Sequence, residues 1–81
     1  MRFKLLPEAK RYLDSLDKDN VRRIYQALRN ATKEPPVGDM KKLHGHDGLY
    51  RIRVGGLRII VEVTGNDLLV EKIAPRGQAY K

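Results

Sequence analysis

The sequence predicts an α+β domain with the element order β-α-α-β-β-β, in which a helical hairpin packs on one face of a mainly antiparallel four-stranded sheet. Three observations predict it. Apolar residues recur at helical spacing twice, over residues 9–16 and 21–31. They then switch to period-two alternation over residues 50–54 and 57–63, the signature of half-buried strands. Gly55-Gly56 and Gly65-Asn66 punctuate the alternating half as turns.

The elements follow in order. Phe3 and Leu5 alternate with Arg2 and Lys4, which suits a short first strand. Pro7 fits the first turn of the next helix, where a missing N–H costs nothing. Ala9, Tyr12, Leu13 and Leu16 form its apolar face. Asp17 or Asp19 is placed to cap a second helix, whose stripe is Val21, Ile24, Tyr25, Leu28 and Ala31. Glu34-Pro35-Pro36 ends that helix, because a residue before proline is pushed out of the α region. Pro35 to Gly48 reads as a loop anchored on the core by Met40 and Leu43, and it carries Lys41, Lys42, His44 and His46. Two strands around Gly55-Gly56 come next. The last strand, Asp67 to Ala74, has ambiguous parity: Leu68 and Val70 compete with Leu69 and Ile73 for the buried face. Pro75 and Gly77 break it.

The 81 residues are expected to form a single domain spanning 1–81. A chain of this length buries about 60–65% of its unfolded surface, enough for one modest core. Seventeen Lys and Arg stand against ten Asp and Glu, a formal net charge of +7. Such an excess suits phosphate or an acidic protein partner. There is no cysteine, so disulfides and thiolate metal sites are excluded. MRFKLLPEAKRYL holds no apolar run of signal-peptide or membrane-span length. A soluble, cytoplasmic protein without membrane contact is expected.

The two-residue turn allows cross-strand pairs to be counted off. Val54 falls opposite Leu57, Arg53 opposite Arg58, Ile52 opposite Ile59, and Arg51 opposite Ile60. Directly opposed residues share a face. Tyr50, Ile52, Val54, Leu57, Ile59, Val61 and Val63 then form an apolar face for the helices. Arg51, Arg53, Arg58, Ile60 and Glu62 form the other. Opposed like charges destabilise a ladder by up to roughly 1 kcal/mol. Two readings fit: a solvated charged face with Glu62 beside Arg51, or a platform whose planar guanidinium groups grip phosphate oxygens.

The segments Leu43-His44-Gly45 and LYRIRVGGLRII (Leu49 to Ile60) resemble the RelE/ParE superfamily of bacterial and archaeal toxins. So do the C-terminal Ile73-Ala74-Pro75-Arg76-Gly77-Gln78-Ala79-Tyr80-Lys81 and the element order. The resemblance covers essentially the whole chain. It implies the RelE-like fold and an mRNA interferase that enters the ribosomal A site and is neutralised by a cognate antitoxin. Operator DNA would be met only through the antitoxin complex. The family's basic strand, following arginine, and C-terminal arginine and tyrosine fall on Arg51, Arg53, Arg58, Arg76 and Tyr80. Possession of all five favours the RNase branch over the gyrase-inhibiting ParE branch. A non-catalytic basic module is the third reading.

The implied reaction is attack of a 2′-hydroxyl on the adjacent phosphorus, with no cofactor and no metal. Arg58 and Arg76 would neutralise the phosphorane. Arg51 and Arg53 would orient the RNA, and Tyr80 would stack on a base or hydrogen-bond near the 2′-hydroxyl. Relatives carry lysines where this chain has Arg51 and Arg53. An arginine effectively never loses its proton, so Arg51 is a poor general base. Glu62 is the alternative base on that face. Lys41, Lys42 and His44 are further expected RNA contacts. His44 and His46 form an H-x-H without the further ligands a metal needs.

Overall fold

The computed structural model describes residues 2–33, 40–43 and 48–75. Its elements are β1 (Arg2–Leu5), α1 (Pro7–Asp14), α2 (Lys18–Ala31), β2 (Met40–Lys42), β3 (Leu49–Val54), β4 (Leu57–Thr64) and β5 (Asp67–Pro75). The strands make one sheet in the order β1-β5-β4-β3-β2. β1 runs parallel to β5, and every other neighbouring pair is antiparallel.

The sheet therefore has five strands where the sequence predicts four. The additional strand, β2, lies inside the stretch read as a loop. Met40-Lys41-Lys42 is too short and too polar to show alternation. It becomes a strand because the free edge of β3 supplies hydrogen-bonding partners, with Met40 opposite Ile52 and Lys41 opposite Arg51. Met40 packs on the main core as expected, whereas Leu43 packs on the opposite face against Ile60 and Ala74.

The helices form for the reasons the sequence supplies. Pro7 occupies the first turn of α1, with Glu8 in that turn and Arg11 in the last, both complementing the helix dipole. Asp17 holds the N-cap position of α2 in extended conformation, but its side chain caps no backbone N–H. It accepts a 2.7 Å hydrogen bond from Asn20 Nδ2 instead. Ala9, Leu13, Ile24, Leu28 and Ala31 meet Ile52, Ile59, Val61, Leu68, Val70 and Ile73 in the main core. Phe3 ties β1 to α2 through Tyr25, with ring centroids 6.2 Å apart. No described helix is long and apolar enough to cross a membrane.

A β-bulge resolves the ambiguous parity of β5. Ile60 pairs with Lys72 and Val61 with Val70, so Glu71 is one residue too many on its strand. Leu68 and Val70 precede the inserted residue and Ile73 follows it. All three consequently face the core, although they differ in parity.

Candidate functional site

The β3–β4 hairpin supports the site. Gly55 has φ +57° and Gly56 has no positive φ. Positive φ at the first loop residue alone is the requirement of a type II′ turn, whose twist matches that of the flanking strands. The observed register is the one counted from the turn: Arg53 opposite Arg58, Ile52 opposite Ile59, Arg51 opposite Ile60.

The face turned away from the helices can be read row by row. Arg53, Arg58 and Ala74 are successive register partners. Lys41, Arg51, Ile60 and Lys72 form the next row. Leu49, Glu62, Leu69 and Lys4 form the third. Positive charge is thus gathered at the hairpin end. Lys42 pairs with Tyr50, which packs on the main core, so β2 places Lys41 and Lys42 on opposite faces. Arg76, Tyr80, His44 and His46 lie outside the described residues.

This face is less open than the sequence pattern suggests. Arg58 keeps 5% of its surface exposed, Ile60 7% and Ala74 5%. A guanidinium moved out of water loses several kcal/mol of hydration unless charge and hydrogen bonds replace it. Arg58 Nη1 is buried with no hydrogen-bond partner among the described residues. The sheet thus holds a desolvated cation whose remaining donor suits an anion, and phosphate oxygens fit a guanidinium fork.

Three features escaped sequence reasoning. Glu71, placed on the sheet by the bulge, interacts with Glu62. Burial raises the Glu71 carboxyl above its ordinary value, and a hydrogen bond with Glu62 and that residue's negative charge raise it further. Arg23 of α2 reaches the hairpin turn, where its Nη1 stands 3.4 Å from the place a Cβ on Gly55 would take. An open groove also lies between α1 and β5, lined by Glu8, Arg11, Tyr12, Ser15 and residues 72–75. The mixed parity of β5 was the only sequence signal for any of the three. Among the described residues, no three His, Cys, Asp or Glu side chains cluster as a metal site would require.

Residues 3–80 match the family model of the ParE toxin of the type II toxin–antitoxin system parDE. The chain belongs to the RelE/ParE superfamily of type II toxins. RelE1 of Methanocaldococcus jannaschii is 32% identical over 75 residues, which cover 85% of this chain and 82% of that protein. Toxin RelE3 of the same organism is 40% identical over 42 residues, covering 52% of this chain and about half, 48%, of the relative's length. Among solved structures, the archaeal RelE–RelB complex from Pyrococcus horikoshii contains a chain 32% identical to this one. It superposes with a TM-score of 0.80 over 96% of this chain and 97% of that one. The superfamily's α+β architecture is therefore the architecture of this chain.

Proposed function

We propose that this RelE/ParE-superfamily chain is a ribosome-dependent endoribonuclease that cleaves mRNA in the A site. A cognate antitoxin neutralises it, and it works in the cytoplasm, where ribosomes are. The observation carrying this reading is the buried Arg58 guanidinium with its spare Nη1 donor, set beside Arg53 on a cationic face. The P. horikoshii structure, a toxin in complex with RelB, supports an antitoxin of that type.

In the proposed reaction the 2′-oxygen forms a bond to phosphorus while the bond from phosphorus to the 5′-oxygen breaks. The products are a 2′,3′-cyclic phosphate and a 5′-hydroxyl. The 2′-hydroxyl proton goes to a base and the leaving oxygen takes a proton from an acid. Arg58, with Arg76, offsets the charge of the phosphorane. Arg51, Arg53 and Lys41 hold the strand in line for attack, and Tyr80 stacks on a base. Glu62 is the candidate base, on the same face as Arg51. No step requires a metal ion.

Induced expression followed by primer extension on a defined transcript tests this reading. Cuts within translated codons that vanish in Arg58→Ala and Arg76→Ala support it. Intact transcripts alongside gyrase-dependent DNA breaks would instead establish gyrase inhibition, the second reading, which the match to the ParE model favours.

A further inference from the structure

The groove between α1 and β5 has a volume of about 430 Å³ and largely apolar walls. That lies within the range of small-ligand sites, about 300–1,000 Å³. It exists because β1 pairs with β5 only as far as Val70. Beyond Val70 the flank of β5 faces α1 rather than another strand. The groove adjoins the cationic face at two points. Ala74, in its wall, is the register partner of Arg58, and Lys72 is the register partner of Ile60. Pro75, also in the wall, directly precedes Arg76 in the chain.

We propose that this groove holds one guanine nucleotide of the RNA beside the scissile phosphate and so biases where the strand is cut. The proposal rests on the nuclease reading above. Arg11 and Lys72 supply charge for the flanking phosphates, and Tyr12 offers the base an aromatic wall. Glu8 supplies the selectivity. A carboxylate accepts two parallel N–H bonds, and the Watson–Crick edge of guanine presents adjacent N1–H and N2–H donors. Uracil presents one N–H between two carbonyl oxygens, which a carboxylate repels. The same repulsion keeps phosphate away from Glu8, so the nucleotide enters in one orientation.

The test is an amide NMR titration of the full chain with guanosine 3′-monophosphate and with uridine 3′-monophosphate. The guanine nucleotide should shift the signals of Glu8, Arg11, Tyr12 and Lys72. It should bind at least about fivefold more tightly than the uracil nucleotide, the lower end of what one bidentate base contact discriminates. Glu8→Gln should bring the two within about twofold of each other. Glu8 is exposed, so the substitution leaves the core untouched. Asp19→Asn, at an exposed position on α2, should keep the wild-type ratio. Equal binding, no shift, or shifts confined to Arg51, Arg53 and Arg58 would overturn the proposal. So would perturbation of the groove by an acidic antitoxin peptide alone. Cleavage without guanine bias, with no nucleotide in the groove, would sink this proposal and leave the nuclease standing. Selective guanine binding in a chain that cuts no RNA would overturn the nuclease reading and the cutting bias with it, leaving the groove a guanine site alone.

Discussion

Arg53 and Arg58 oppose each other across the β3–β4 ladder, yet Arg53 is exposed while Arg58 keeps only 5% of its surface in water. Two like charges in register are a poor choice for stability. Withdrawing one of them from solvent is a worse one. A sheet selected for stability alone would carry leucine or methionine at position 58, against Ala74 and Ile60. The arrangement makes sense where the buried charge is to meet an anion.

Arg58→Leu is therefore expected to stabilise the fold while abolishing activity. Replacing a poorly satisfied buried charge with an apolar side chain of similar volume gains about 1–4 kcal/mol. Loss of one preorganised donor to the transition state costs roughly a hundredfold to a thousandfold in rate. Urea denaturation and primer extension read the two effects separately. A destabilised variant would show that Arg58 is structurally satisfied.

The two turn glycines should respond differently. Gly55 sits at φ +57°, where an L side chain costs about 1–2 kcal/mol. Gly56 has no positive φ, and nothing stands within 4 Å of a Cβ added there. Gly55→Ala should lower the denaturation midpoint. Gly56→Ala should raise stability by about 0.4–1 kcal/mol, by restricting the unfolded chain.

The Glu71 carboxyl is raised by burial and by Glu62, so the folded state holds its proton more tightly than the unfolded state does. The sign follows from linkage. This contribution to stability is complete below the unfolded carboxyl's pKa and is lost as pH rises through the raised folded value. The difference in melting temperature between Glu71→Gln and wild type isolates the Glu71 share. It should favour the variant increasingly from mildly acidic to neutral pH. A difference that does not change with pH would refute the raised carboxyl.

Deleting Glu71 should be tolerated. The bulge residue is the only one on β5 without a register partner on β4, so its removal leaves Leu68, Val70 and Ile73 on the core face. Deleting Leu69 instead turns either Leu68 or Val70 away from the helices. That loss resembles truncation of a buried leucine, about 2–5 kcal/mol. Denaturant unfolding of the two deletion variants distinguishes them.

Much of the fold was legible because it is local. A two-residue turn fixes the register of both its strands, so the partners of Arg51 and Arg53 could be counted without coordinates. The helix stripes Ala9–Leu13 and Ile24–Leu28–Ala31 were legible for the same reason. What the sequence hid depends on distant neighbours. β2 exists because β3 has a free edge, and three residues are too few to show a period. The bulge appeared only as an unresolved conflict between Val70 and Ile73. The burial of Arg58 follows from packing on a face whose pattern looks solvated. The groove joins residues 8–15 to residues 72–75, a pairing no local period records. Of the five residues carried over from the family, the described structure brings together Arg51, Arg53 and Arg58 on one face.

The parallel pairing of β1 with β5 has a bearing on biosynthesis. Arg2–Leu5 finds its hydrogen-bonding neighbours only at Asp67–Val70, more than sixty positions further along the polypeptide. A nascent chain that has emerged as far as β4 carries its arginines on an unfinished sheet, with β1 still lacking its neighbour β5. Placing β5 between β4 and β1 connects the early strand to the β3–β4 hairpin. The cationic face thus reaches its finished form only once β5 has been made and paired.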